Sequence, residues 1–345
     1  MKLRKSLAVF LIIAVLLTGL VSCNKGNKST TSDHKIKVGM VTDVGGINDQ
    51  SFNQTSWEGL KRAGEELGID VVYLESHQDS DYATNLQTLV ENDCDLIIAV
   101  GYMLSDATRN AALKNPNQKF AIVDDAANAD LPNVACLMFE QATASYLVGV
   151  VAGLMTKTNT VGFVLGMSTG PMNEFGYGYL AGVKDANPNC TIEQYNANNF
   201  ADPGLGATAA RSMHTKGADI IFHAAGGTGN GVIAACEQMN IYAIGVDTDQ
   251  SHVAPNTVIT SAMKRVDNAS FDTAKAVLEG TYKPGLHTYG LESGGVDIAP
   301  TTTLLPENVK TAVNEAKAKI LKGEIKVPST KADFEAKYGN IYTLD

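Results

Sequence analysis

Two stretches, Asp95-Leu-Ile-Ile-Ala-Val-Gly101 and Asp219-Ile-Ile-Phe-His-Ala-Ala-Gly226, share one pattern: an aspartate, a short apolar run and a closing glycine. Each is followed by a helical stretch and then by a second apolar run that ends in aspartate. That run is Lys119-Phe-Ala-Ile-Val-Asp124 in the first case and Ile241-Tyr-Ala-Ile-Gly-Val-Asp247 in the second. Gly101 and Asp124 are 23 residues apart, Gly226 and Asp247 21. Apolar runs this short, bounded by turn-forming residues, read as buried strands. Strands alternating with helices are the βαβ units of a parallel sheet covered on both faces. The echo therefore predicts an α/β protein of two similarly built Rossmann-like lobes, roughly 36–139 and 140–263.

Outward from these stretches the same rhythm places strands at 37–43, 70–74, 95–100, 119–124 and 133–139. It continues with 160–166, 191–195, 218–224, 241–246 and 257–263, and a late strand near 294–299. The helix Ser51–Gly68 begins with Ser51-x-x-Gln54, a capping-box pattern. It carries an apolar stripe of Phe52, Trp57, Leu60, Ala63 and Leu67, and stops at Gly68. Tyr82, Leu86, Leu89 and Val90 form a second stripe, and Tyr146, Leu147, Val150, Val151 and Leu154 a third; both are core-facing. The helix 266–279 is expected to return to the first lobe and the helix 307–322 to join the second. Lobe 1 is then 36–139 plus about 265–300, and lobe 2 is 140–264 plus about 301–345.

The N-terminus has a different character. Lys2, Arg4 and Lys5 precede Leu7–Leu17, an apolar run of 11 residues that is too short to span a bilayer. Leu20-Val21-Ser22-Cys23 follows and resembles the lipobox of bacterial lipoproteins, in which cleavage leaves the cysteine as a lipidated N-terminus. Residues 1–22 are thus expected to be a signal peptide, Cys23 a lipid anchor on the extracytoplasmic face of the cell membrane, and 23–35 a polar spacer. Loss of the three basic residues takes the formal net charge from −10 to −13, which excludes nucleic acid as a partner.

Cys94, Cys136, Cys190 and Cys236 are far apart, with no CxxC pair and no metal spacing. Cys136 and Cys236 sit in apolar runs as small core residues. An exported protein could join one pair, which the sequence does not choose. The six histidines are scattered without an HExxH, there is no GxSxG, and no cofactor or metal is expected. Histidine is also scarce in the segments that would form a site, so general acid–base chemistry has no obvious agent. The chain reads as a binding protein and not as an enzyme.

In open parallel sheets ligands sit outside the carboxyl ends of the strands, here in a cleft between the lobes. The first strand runs into Asp43, followed by the turn glycines Gly45 and Gly46 and by Asn48, Phe52 and Asn53. Phe52 at a helix N-terminus is either a hydrophobic staple or a ring that stacks on a ligand. Asp124 and Asp247 end strands at equivalent places and can take hydrogen-bond donors, with Asp125 and Asp249 as the better helix caps. Lys264 ends the strand 257–263, where it can donate to hydroxyls or offset Asp247. Gly226-Gly-Thr-Gly-Asn-Gly231 precedes a helix but lacks the Lys-Ser/Thr of a phosphate loop; it reads as close backbone approach to a ligand. Phe175, after Gly170-Pro171, and Phe200, in Asn199-Phe-Ala-Asp-Pro203, are the rings that could face Phe52 across a slot for a flat ligand.

The segments 43–60 (DVGGINDQSFNQTSWEGL), 121–124 (AIVD), 166–183 (GMSTGPMNEFGYGYLAGV), 199–203 (NFADP), 245–250 (GVDTDQ) and 261–265 (SAMKR) together resemble the basic membrane protein family and its PnrA-type purine-nucleoside receptor lipoproteins. The resemblance covers almost the whole chain after the spacer. It implies a periplasmic-binding-protein fold and delivery of nucleosides to an ABC import permease. It also implies a base held between two phenylalanines, Phe52 and, by spacing, Phe200, with Phe175 as the alternative. Asp124 would read the base edge, Gly226, Asp247 and Lys264 would hold the ribose, and Asp43 would line the cleft near the base. A sugar or other small solute in the same cleft is the alternative ligand.

Overall fold

The computed structural model describes residues 34–300 and 303–344. The expected signal peptide 1–22, the expected lipid anchor Cys23 and the spacer as far as residue 33 lie outside the described residues. The echo seen in the sequence is an echo of topology. The first sheet is built from β1 (Lys37–Val41), β2 (Asp70–Leu74), β3 (Leu96–Val100), β4 (Lys119–Val123) and β5 (Val134–Phe139), in the order β2-β1-β3-β4-β5. The second is built from β6 (Thr160–Leu165), β7 (Thr191–Asn196), β8 (Ile220–Ala224), β9 (Tyr242–Asp247) and β10 (Val258–Lys264), in the corresponding order β7-β6-β8-β9-β10. All these neighbours pair in parallel.

Ten helices among the described residues cover the faces. They are α1 (Phe52–Leu67), α2 (Asp81–Glu91), α3 (Ser105–Lys114), α4 (Gln141–Met155), α5 (Gly170–Ala186), α6 (Pro203–Thr215), α7 (Gly226–Met239), α8 (Val266–Leu278), α9 (Glu307–Leu321) and α10 (Lys331–Tyr338). Because strand side chains alternate between faces, β3 divides its run. Leu96, Ile98 and Val100 enter the core that β3 shares with the second half of the chain, while Ile97 and Ala99 pack beneath α2. Ile220 and Phe222 of β8 divide from Ile221 in the same way. A strand buried on both sides needs a continuous apolar run, which is why the two quoted stretches decide the fold.

Each sheet gains a sixth strand from the C-terminal third. β11 (Gly285–Tyr289) lies parallel to β5 at the edge of the first sheet, and β12 (Val296–Ile298) lies antiparallel to β10 in the second. The chain thus passes between sheets at 139–141, 264–266 and 289–296. These passages are tied together: Glu140 N–H donates to the Tyr289 carbonyl at 3.0 Å, and Arg265 N–H to the Gly295 carbonyl at 2.9 Å. α8 packs on α1, where Ser56 Oγ meets Ser270 Oγ at 2.8 Å. β11 is absent from the strands expected on sequence: an edge strand that begins in glycine and leaves Leu286 58% exposed carries little apolar signal. The α4 stripe also differs from expectation. Nearly the whole of α4 is buried against α5 and β10, and Leu154 is exposed. The four cysteines Cys94, Cys136, Cys190 and Cys236 are buried free thiols.

Candidate functional site

The carboxyl ends of both sheets line one cavity, placed where open parallel sheets receive their ligands. The first sheet contributes Asp43, Asp49, Phe52, Asn53, Tyr102 and Asp124, and the second Met172, Phe175, Phe200, Gly226, Asp247 and Lys264. Nine of the ten residues expected from the sequence to bind ligand meet here. The exception is Asn48, which is exposed and does not line the cavity. Its neighbour Asp49 points inward instead and is 2% exposed.

Asp49 organises the first wall. Its carboxylate accepts the backbone N–H groups of Ser51 (2.9 Å), Asn53 (2.8 Å) and Gln54 (3.1 Å), satisfying donors that the first turn of α1 leaves without a helical partner. The capping-box expectation for Ser51 is therefore corrected: Ser51 makes no side-chain cap, because its hydroxyl is turned across the cavity edge to donate to Asp247 Oδ2. Asn53 Nδ2 donates to Asp49 Oδ2 at 3.2 Å and to Asp43 Oδ1 at 2.8 Å, while Asp43 N–H donates back to Asn53 Oδ1 at 3.3 Å. Burial pushes the Asp43 carboxyl up to about 6 even though the Asn53 amide and Gly45 N–H favour its charged form.

Asp124 and Asp247 are equivalent in backbone as well as in position. Both lie in the left-handed region, at φ 62° and 64°, which non-glycine residues seldom adopt. The turn ends each strand and aims the side chain at the cavity. Neither starts a helix. Asp249 caps the short 3₁₀ helix Gln250–His252 through Ser251 N–H at 3.0 Å, whereas Asp125 accepts from Asn128 Nδ2 at 2.8 Å and caps no helix. Asp124 Oδ2 pairs with Lys264 Nζ, and Asp124 Oδ1 is a buried acceptor with no partner. Lys264 makes its ion pair across to Asp124 of the first sheet, and its charge also offsets Asp247, one of the two roles expected of it. Burial pushes Asp247 up to about 7, against the pull of Lys264 and Ser51.

Lys264 is 1% exposed and sits among rings, with its ammonium 5.0 Å from the Phe52 centroid, 5.2 Å from Phe139 and 5.5 Å from Phe175. Cation–π attraction adds to the ion pair in holding a charge that burial opposes. Phe200 lies against Gly166, where an added Cβ would stand 2.2 Å from Phe200 Cε1. The glycine-rich run is also corrected. It does not precede a helix but forms the first turns of α7. Only Gly226 of the run lines the cavity. Gly229 is required by the buried ring of His223, and Gly231 by the Pro203 carbonyl, which a Cβ would approach to 1.8 Å.

The lining thus offers a ligand carboxylate acceptors, one ammonium, flat aromatic faces and backbone edges. His223 lies inside the second sheet and away from the cavity lining, where burial pushes its imidazole down to about 4. Among the described residues no group of three or more His, Cys, Asp or Glu is placed to hold a metal, and no helix is long and apolar enough to cross a membrane.

A family model described as "ABC transporter substrate-binding protein PnrA-like" matches residues 36–331. Among relatives, the CD4+ T-cell-stimulating antigen of Listeria innocua is 41% identical, over 94% of this chain and 98% of its own. The ABC transporter nucleoside-binding protein BmpA of Lactococcus lactis subsp. cremoris is 34% identical, over 94% and 99%. A solved solute-binding protein of an ABC transporter system from Aeropyrum pernix superposes with a TM-score of 0.80 at 29% identity, covering 88% of this chain and 98% of that one.

Proposed function

The chain belongs to the PnrA-like family of ABC transporter substrate-binding proteins, which bind substrates and are not enzymes, and from that premise we propose that its cavity captures nucleosides, purine nucleosides in preference, for delivery to an import permease. The observation that carries this reading is the meeting of Phe52 and Phe200 with the strand-end pair Asp124 and Asp247 in one cavity. Two rings from opposite sheets give a flat base a stacking slot, worth about 0.5–1.5 kcal/mol per ring beyond the area buried. Asp124 Oδ1 offers an unused buried acceptor to a base N–H. Asp247, Gly226 and Lys264 offer acceptors, a backbone edge and donors to ribose hydroxyls. The relative named as nucleoside-binding supports the same ligand. Cys23 supplies a lipid anchor that keeps the capture domain near the permease on the extracytoplasmic face.

Calorimetric titration of the full-length chain, unfolded and refolded to strip carried-over ligand, tests this with adenosine, guanosine, inosine, uridine, cytidine and ribose. Purine nucleosides should bind most tightly, and Phe200→Ala should weaken them at least about tenfold. Binding of ribose alone would overturn the nucleoside reading. A larger loss from Phe175→Ala than from Phe200→Ala would reassign the second ring. Labelled palmitate incorporated by the wild type but not by Cys23→Ser would support the anchor.

A further inference from the structure

Three consecutive residues of the first sheet's loop each bond to a different element of the second half of the chain. The Asp49 carbonyl accepts from Asn230 Nδ2 of α7 at 3.0 Å. The Gln50 carbonyl accepts from Gln250 Nε2 of the 3₁₀ helix at 3.0 Å. Ser51 Oγ donates to Asp247 Oδ2 at the end of β9. The partners are 181, 200 and 196 residues away in sequence. Gln50, Ser51, Asn230 and Gln250 are not part of the cavity lining.

We propose that Asp49-Gln50-Ser51 is a clasp that holds the two sheets together over the cavity, and that Ser51 is a positioning residue for Asp247. The proposal rests on the reading of this cavity as a ligand site. Two of the three bonds end on backbone carbonyls. They therefore report how closely the sheets approach and carry no information about what lies between them. A clasp of this kind lengthens the stay of any ligand that fits and does not choose among ligands. The third bond has a second effect. By fixing Oδ2, Ser51 sets the orientation of the Asp247 carboxylate and leaves Oδ1 for other donors. Local geometry holds the loop in the shape these bonds need. The Asp49 carboxylate pins Ser51 N–H to the start of α1, and Gln50 takes the left-handed conformation, at φ 55°, that turns its carbonyl toward Gln250. Gln250 is itself held, its Oε1 accepting Val246 N–H at 2.9 Å and its N–H donating to Ser261 Oγ at 3.1 Å.

The test has two arms, both on the full-length chain. Small-angle scattering without added ligand should give a larger radius of gyration for Asn230→Ala and Ser51→Ala than for the wild type. Stopped-flow displacement of inosine should show release faster by about tenfold in each variant, with association nearly unchanged, because a lost hydrogen bond across an interface acts mainly on dissociation. Ser51→Thr, which keeps the hydroxyl, should restore slow release. Asn230 is half-buried on α7, and alanine suits a helix, so that variant reads the clasp even if Ser51→Ala fails to fold. Wild-type scattering and wild-type release in Asn230→Ala would overturn the clasp. Absence of inosine binding to the wild type would remove the nucleoside reading, and the scattering arm would then decide the clasp alone.

Discussion

Lys264, the last residue of β10, pairs across the cavity with Asp124, which ends β4 of the other sheet, and both are almost wholly buried. A buried pair contributes little net stability, but removing one member leaves the other charge uncompensated. Lys264→Met or Asp124→Asn alone should therefore cost about 3–5 kcal/mol. The double variant should lose less than the two singles added together. Urea denaturation of all four proteins closes the cycle, and additive losses would show that the pair is not coupled.

Phe200 owes its seat to a missing side chain. A Cβ on Gly166 would stand 2.2 Å from Phe200 Cε1 and 3.2 Å from Ala225 Cα. Gly166→Ala must displace the ring or the start of α7, an overpacking cost of about 1–3 kcal/mol. Affinity for the proposed nucleoside ligand should fall with it. Gly170→Ala is the control: nothing lies within 4 Å of its added carbon, so melting temperature and affinity should stay at wild-type values.

The buried carboxyls make stability depend on pH in an unusual direction. An unfolded aspartate titrates near 3.9, whereas Asp43 is held at about 6 and Asp247 at about 7. The native state binds these protons more tightly, so unfolding releases them. Their contribution is fully present below about pH 4 and is lost as pH rises through about 6 to 7. From pH 7.5 to pH 5 the protein should gain on the order of 4 kcal/mol from these two groups together. Denaturation curves at the two pH values check it, and the combined Asp43→Asn and Asp247→Asn substitutions should flatten the difference. An equal gain in that variant would assign the effect to other groups.

These groups also show what the sequence can and cannot reveal. The paired stretches ending at Gly101 and Gly226, and at Asp124 and Asp247, carry the two-sheet topology because buried parallel strands need unbroken apolar runs. Strand ends then pick out Asp43, Asp124, Asp247 and Lys264, since ligands gather at carboxyl edges. Asp49 is hard to see because its role is local backbone geometry, and its only sequence signal is the Asp-x-Ser-x-Asn spacing 49–53. The ion pair of Lys264 with Asp124 of the other sheet depends on how the sheets approach, which no local pattern encodes. The glycines at 229 and 231 resemble ligand contacts because a close approach leaves the same mark whether the neighbour is a ligand, an imidazole or a carbonyl.

Tyr342, near the C-terminus, reaches the site without lining it. Tyr342 donates its hydroxyl to Asn173 Oδ1 at 2.8 Å, and Asn173 Nδ2 donates to Ser168 Oγ at 3.2 Å in the loop before α5. Its ring covers Gly176, where a Cβ would come within 2.3 Å, and meets the Tyr177 ring edge-on at 4.8 Å. The same turns of α5 present Met172 and Phe175 to the cavity. Tyr342→Phe keeps the ring and removes one hydrogen bond, so it should cost about 1 kcal/mol of stability and leave ligand affinity within about twofold. Tyr342→Ala also empties the space over Gly176, at about 3–5 kcal/mol, and frees the first turns of α5 to shift. Phe175, carried on those turns, would shift with them, and affinity should fall much further than in Tyr342→Phe. Calorimetry at a temperature where both variants remain folded separates the effects. If Tyr342→Ala is destabilised yet binds as tightly as the wild type, the tail supports the fold alone and the wall of the cavity stands without it.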